Sequence, residues 1–224
     1  MNIQKIALFS LFFSLIANVE GAKINKAFEA LRKYDYFTAK ELFEKLKDKE
    51  PIAAPYGLSI IFGRSDNPFY NLDSSYFYIR LAEANYPPEQ LGHLEDLKEM
   101  GISDTTLANW KDTVDLSVWK VVKEADKLES YQRFIEKHSD AVQIEEALSR
   151  RNELAFAAAV EINTARAYSS FVEKYPEAEQ ITEAQDRYEA KRFFLFTEDQ
   201  EIFTYENFIK QYPDSPFVSE AQDS

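Results

Sequence analysis

The stretch Tyr168–Pro176, YSSFVEKYP, occurs three times, and that recurrence constrains the fold more than any other feature of the chain. It reads YQRFIEKHS at Tyr131–Ser139 and YENFIKQYP at Tyr205–Pro213. The leading residues Tyr131, Tyr168 and Tyr205 stand 37 apart at both steps (168 − 131 and 205 − 168). Phe134, Phe171 and Phe208 keep the same interval, as do Ala147, Ala184 and Ala221. Arg150 matches Arg187 in phase, and Trp119, Phe156 and Phe193 carry the register upstream of Tyr131. A fixed period of roughly 20–50 residues marks an architecture made by stacking one supersecondary unit.

The middle copy shows what one unit does. Tyr168, Phe171, Val172 and Tyr175 fall at i, i+3, i+4 and i+7, one face of an α-helix. Asn163 and Thr164 precede it and can cap its free amides. Pro176 disfavours the helical conformation at Tyr175, so the helix ends there. A longer helical run follows from about Ala178 to Phe196, with Ile181, Ala184, Tyr188 and Leu195 as its apolar set. Ala184 is small and admits a close neighbour. A helix pair this short cannot bury its own apolar residues; neighbours in a stack bury them for each other. The sequence therefore predicts an all-α chain of antiparallel helix pairs, stacked into a curved right-handed helical-repeat solenoid.

Five glycines and 45% apolar residues fit a helical chain with a sizeable core. The net charge of −13 gives no electrostatic footprint for nucleic acid, so no nucleic-acid partner is expected. The absence of cysteine excludes disulfides, thiol nucleophiles and an acylated-cysteine anchor. Residues 1–21 read as a secretory signal peptide. Lys5 supplies its positive start, Ile6–Ala17 its apolar run, and Val19 and Gly21 the small residues before a cut at Ala22; an uncleaved anchor is the alternative. Export to the periplasm or cell envelope follows, with no membrane span after the signal is removed.

Further along, Ala27, Ala30 and Leu31 form one helical face, and Ala39, Leu42, Phe43 and Leu46 a second one ended by Pro51. Here the chain resembles the tetratricopeptide repeat (TPR) family. Ala27, Tyr36, Ala39, Phe43 and Pro51 occupy that family's pattern positions, while Tyr34 stands where it usually has glycine. The chain is also similar to N-terminal segments of exported, envelope-associated repeat proteins of the Bacteroidetes group. The resemblance implies two TPR-like units over 22–87, with an insertion at 63–73 and Asp73 capping the helix beyond it. An irregular helical connector spans 88–127, where Leu91, Leu94 and Leu97 share a helix and Ser103 or Asp104 caps another. TPR-like repeats of period 37 fill 128–224, the last one truncated. The short run after Ala221 leads to the expectation that a further domain follows.

No catalytic constellation or cofactor motif emerges. His138 stands where the other copies have Tyr175 and Tyr212, and reads as a repeat-position residue. His93-Leu94-Glu95 spells half of a zinc-deaminase signature whose other half needs cysteines. Asp66, Asn71 and Asp73 lack the glycine and the terminal glutamate of a calcium loop. The carboxylates sit at helical spacing beside Lys and Arg, as on a solvated face. No cofactor, metal or enzymatic activity is expected. The best binding candidates are Phe69, Tyr70 and Asn71 in the insertion: either an exposed anchor for a partner, or rings folded back to plug a gap between helix pairs. The expected function is a non-enzymatic scaffold binding a protein or peptide in the solenoid groove. The alternative is a spacer presenting a C-terminal envelope-binding domain.

Overall fold

A computed structural model describes residues 21–88 and 91–224, with backbone alone over 91–93. The signal-peptide expectation falls on 1–20, and the side chain of His93 on 91–93; both lie outside what is described. Among the described residues every regular element is an α-helix. None of those helices is long and apolar enough to cross a membrane. The chain divides into two compact units between Val121 and Val122.

In the first unit, helix α1 (21–32) buries Ala27, Ala30 and Leu31, the face expected from their spacing, and Ile24 with them. It ends in a Schellman turn. The Asp35 amide donates to the Ala30 carbonyl at 2.9 Å and the Tyr34 amide to that of Leu31 at 3.1 Å. Tyr34 takes the left-handed conformation (φ 61°) that this turn demands, at the position where glycine was expected by resemblance. Asp35 then caps α2 (Tyr36–Leu46) by accepting from the Thr38 amide at 3.1 Å. Helix α2 buries Tyr36, Ala39, Phe43 and Leu46. The Phe43 ring meets Phe28 edge-on at 4.9 Å and lies over Gly57 of α3 (Ala53–Gly63), where a Cβ would come within 2.3 Å of it.

Helix α4 (Leu72–Ala84) packs on α3 through reciprocal serine bonds. Ser59 Oγ donates to the Ser75 carbonyl and Ser75 Oγ to the Ser59 carbonyl, both at 2.8 Å. The cap of α4 is Asn71, whose side chain accepts from the Ser74 amide at 2.8 Å; Asp73, the expected cap, sits one residue inside the helix. The backbone decides between them, because Asn71 is extended (φ −161°, ψ 106°), as a capping residue must be.

The expected connector contains α5 (Leu91–Glu99) and the 22-residue α6 (Asp104–Ala125). Leu97 is buried and Leu94 half-buried. Gly101 (φ 73°) closes α5, and Ser103 caps α6 by accepting from the Thr106 amide at 3.2 Å. Trp110 Nε1 donates to Ser59 Oγ at 2.7 Å, which ties α6 to α3. At the next residue, the buried Lys111 ammonium donates to the buried Asp115 carboxylate one turn on, at 2.9 Å.

The second unit contains three helix pairs: α7 (Leu128–Lys137) with α8 (Ile144–Ile162), α9 (Ala165–Lys174) with α10 (Ile181–Phe196), and α11 (Ile202–Gln211) with α12 (Val218–Asp223). Helix α8 also packs on α9, and α10 on α11. The period reaches down to single bonds. Within the turn of each pair, the amides of Ala141, Ala178 and Ser215 donate to the carbonyls of His138, Tyr175 and Tyr212 at 2.9, 3.0 and 3.1 Å. Phe134, Phe171 and Phe208 are all buried, and so are Ala147, Ala184 and Ala221. Tyr131 and Tyr168 are buried, while Tyr205 is half-buried. His138 fills its repeat position as a buried ring stacked 5.0 Å from Phe134, matching Tyr175 on Phe171 and Tyr212 on Phe208, each at 5.3 Å.

Three left-handed residues mark the joints between copies: Asp126, Asn163 and Gln200, at φ 42°, 53° and 57° and one period apart (163 − 126 and 200 − 163). Asn163, expected among the caps of α9, is the C-cap of α8; Thr164 alone caps α9, accepting from the Ala167 amide at 3.2 Å. The joint side chain has a second task. Tyr131 Oη donates to Asp126 Oδ1 at 2.9 Å, and Tyr168 Oη to Asn163 Oδ1 at 3.0 Å. In α10 the inward ring is Phe193, and Leu195, expected inside, faces water. Phe193 holds the position through its rings at 5.0 Å to both Phe208 and Phe217.

Candidate functional site

The insertion between α3 and α4 is held by one side chain that sequence reasoning did not single out. Asn67 Nδ2 donates to the carbonyls of Ile61 (2.9 Å) and Arg64 (2.7 Å), and Asn67 Oδ1 accepts from the Phe69 amide at 2.8 Å. The Asn71 amide closes the loop on the Phe62 carbonyl at 2.8 Å. The Asn-Pro pair that opens the segment was the available signal, since asparagine bonds the backbone two residues on.

This pinned loop brings Phe69 against α2. Phe69 is half-buried and meets Phe37 edge-on at 4.8 Å, with the Lys40 ammonium 5.4 Å from its centroid. Tyr70 remains 43% exposed. Phe69 thus folds back part of the way, and neither ring reaches the near-total burial that would exclude an anchor. Asn71 is committed to capping α4. Phe37 (68% exposed) and Tyr34 (62%) extend the surface, and the sequence had not marked either as a binding residue. Their positions beside the first helical turn gave no sign that the loop would reach them.

Arg64 holds the Tyr34 side of the surface. Its guanidinium lies 4.7 Å from the Tyr34 centroid and 5.5 Å from that of Tyr36, and it forks onto Asp66 at 2.9 and 3.3 Å. Tyr36 Oη donates to Asp66 Oδ1 at 2.7 Å. Burial, and then that bond to Asp66, push the Tyr36 phenol up to about 12. The Tyr36 and Arg64 bonds hold the Asp66 carboxyl below its ordinary range. At neutral pH Asp66 is therefore a satisfied anion and Tyr36 a neutral donor. Neither is poised to move a proton, and what the surface offers a ligand is aromatic area.

Among the described residues, no group of three or more His, Asp or Glu could hold a metal ion. Asp66, Asn71 and Asp73, weighed as a calcium loop, do not converge on one: Asp66 serves Arg64 and Tyr36, and Asn71 serves Ser74. The repeat residues Tyr131, Phe134, Ala147, Tyr168, Phe171, Ala184, Phe208 and Ala221 lie in the core, with Tyr205 at its margin. No protein-family model matches the chain, and no curated protein matches it.

Proposed function

We propose that this chain is a non-enzymatic scaffold, exported from the cytoplasm to the periplasm or cell envelope, whose helix pairs stack as a TPR-like solenoid and bind a protein or peptide. The observation that carries the reading is the aromatic surface on α2 and the insertion. Tyr34, Phe37 and Tyr70 stand in solvent, and Phe69 packs against Phe37 at 4.8 Å. Exposed rings fixed by their neighbours lose little freedom on binding, and buried aromatics dominate interface energies. The positive start, apolar run and small residues of 1–21 and the recurrence of one helix pair support export and stacking.

The test is a photo-reactive phenylalanine analogue placed at Phe37 in the producing cell, with Val142, 83% exposed in the second unit, as the control site. A discrete protein adduct at Phe37, absent at Val142 and lost with Phe69→Ser, is expected. Indistinguishable patterns at the two sites would refute the assignment.

A further inference from the structure

The turn joining α10 to α11 leaves four large apolar side chains in the open: Phe194 (60% exposed), Leu195 (69%), Ile202 (72%) and Phe203 (70%). The repeat does not need them for packing. One period earlier the same positions hold Ala157, Ala158, Ala165 and Arg166. The core at this corner comes from Phe193 and Phe196, whose centroids lie 5.0 and 5.7 Å from that of Phe208. Nor does the exposure arise from standing in the last copy. Ala157, Ala158 and Arg166 are exposed too, although a further copy follows them. Three of these positions face water in both copies, Ala165 being half-buried, and the later copy fills all four with large apolar residues.

The turn between the two helices is acidic, and the nearest cations stand outside it: Lys191 one turn before Phe194, Lys210 one turn after Glu206, and Arg192 paired with Glu189. From Phe193 to Ile209 the chain carries Glu198, Asp199, Glu201 and Glu206 and no Lys or Arg, whereas the matching interval Phe156–Val172 carries Glu161, Arg166 and no excess of either sign. All four carboxylates are exposed. Asp199 accepts from Thr204 Oγ1 at 2.7 Å and the Glu201 amide at 3.2 Å, which fixes the turn that displays them. An apolar patch beside a turn of uniformly negative charge favours a partner of the opposite sign. A second copy placed symmetrically on this corner would bring the same carboxylates together, and an anionic lipid surface would repel them.

We propose that the α10–α11 corner docks a basic amphipathic helix of a protein partner, its apolar stripe on Phe194, Leu195, Ile202 and Phe203 and its Lys and Arg rows against Glu198, Glu201 and Glu206. Such helices present anchors at i, i+3, i+4 and i+7. The surface lies in the second unit and stands independently of the aromatic patch in the first.

The probe is a synthetic Leu/Lys amphipathic peptide of about 18 residues, or five turns, titrated into the full chain by fluorescence anisotropy. The same peptide with Glu for Lys is the control. Binding of the Lys peptide is expected to weaken by about tenfold or more in F194S/F203S. E198Q/E201Q/E206Q is expected to flatten its salt dependence, and the Glu peptide is expected not to bind. If F194S/F203S melts early, Phe203→Ser alone carries the same comparison. An unchanged Kd in the serine variants overturns the proposal, because the peptide is then held elsewhere by charge. A monomer–dimer equilibrium in sedimentation that those variants abolish, or vesicle binding of phosphatidylglycerol that they abolish, overturns it in favour of a second copy or a membrane.

Discussion

Phe171→Ala removes a ring that is 3% exposed and lies 5.3 Å from both Phe156 and Tyr175. A phenylalanine buries roughly 150–250 Å². At about 25 cal/mol per Å² its complete removal is worth about 4–6 kcal/mol, an upper bound because the unfolded chain shields some of that area. Alanine keeps the Cβ, and such truncations cost about 3–5 kcal/mol. Phe134 and Phe208 are 1% and 0% exposed and each packs against the ring four residues on, so the same range applies to them. In a chain of this size about 1 kcal/mol moves the Tm by about 2–4 °C, so drops of about 6–20 °C are expected. Urea denaturation and thermal melts of the full chain, followed by far-UV circular dichroism, read the effect. All three rings belong to the second unit, so the substitutions should move the same transition. A cost below about 1 kcal/mol at Phe171, within reach of ordinary surface changes, would refute the repeated core.

Gly57→Ala places a Cβ 2.3 Å from the fully buried Phe43 ring and should destabilise by about 1–3 kcal/mol. Adding Phe43→Leu should restore part of that loss in the melting curve. Asp126→Asn tests the first joint without disturbing its backbone, since asparagine also tolerates the left-handed conformation. Arg150, and then Tyr131, hold the Asp126 carboxyl at about 2, below its ordinary 3.8. The folded state therefore favours the anion. The stabilisation is present above about pH 4 and fades as the pH falls through about 2. The urea midpoints of wild type and Asp126→Asn should thus differ more at about pH 7 than at about pH 3, and an equal gap would remove the ion pair from the account.

Helix faces were legible because burial repeats with the helical turn. Ala27, Ala30 and Leu31, then Ala39, Phe43 and Leu46, are all inside. The recurring Phe134, Phe171 and Phe208 were legible because they keep the 37-residue interval. Finer assignments depended on backbone angles that side-chain chemistry does not encode. Asn71 and Asp73 can both accept an amide, and only Asn71 is extended. The joints escaped notice because Asp126, Asn163 and Gln200 share a conformation without sharing an identity, and none is glycine. Leu195 and Phe193 are both apolar near the end of α10, where a drift of two positions reverses the face. Trp110 on Ser59 joins residues 51 apart, and no local pattern announces such a bond. At the candidate site Phe69 and Tyr70 were visible as loop aromatics, but the packing of Phe69 on Phe37, and of Arg64 on Tyr34, required the loop's path.

Because Asn163 and Gln200 turn the backbone in the same left-handed sense one period apart, a chain severed at one and spliced at the other would meet a corner of a kind already in use. Length in this region is therefore quantised. Growth or loss by a whole unit preserves every interface type, whereas a fractional insertion would rotate the next helix and strand Tyr168 or Phe208 in water. A gene region of this kind can lengthen by duplication without inventing a new contact.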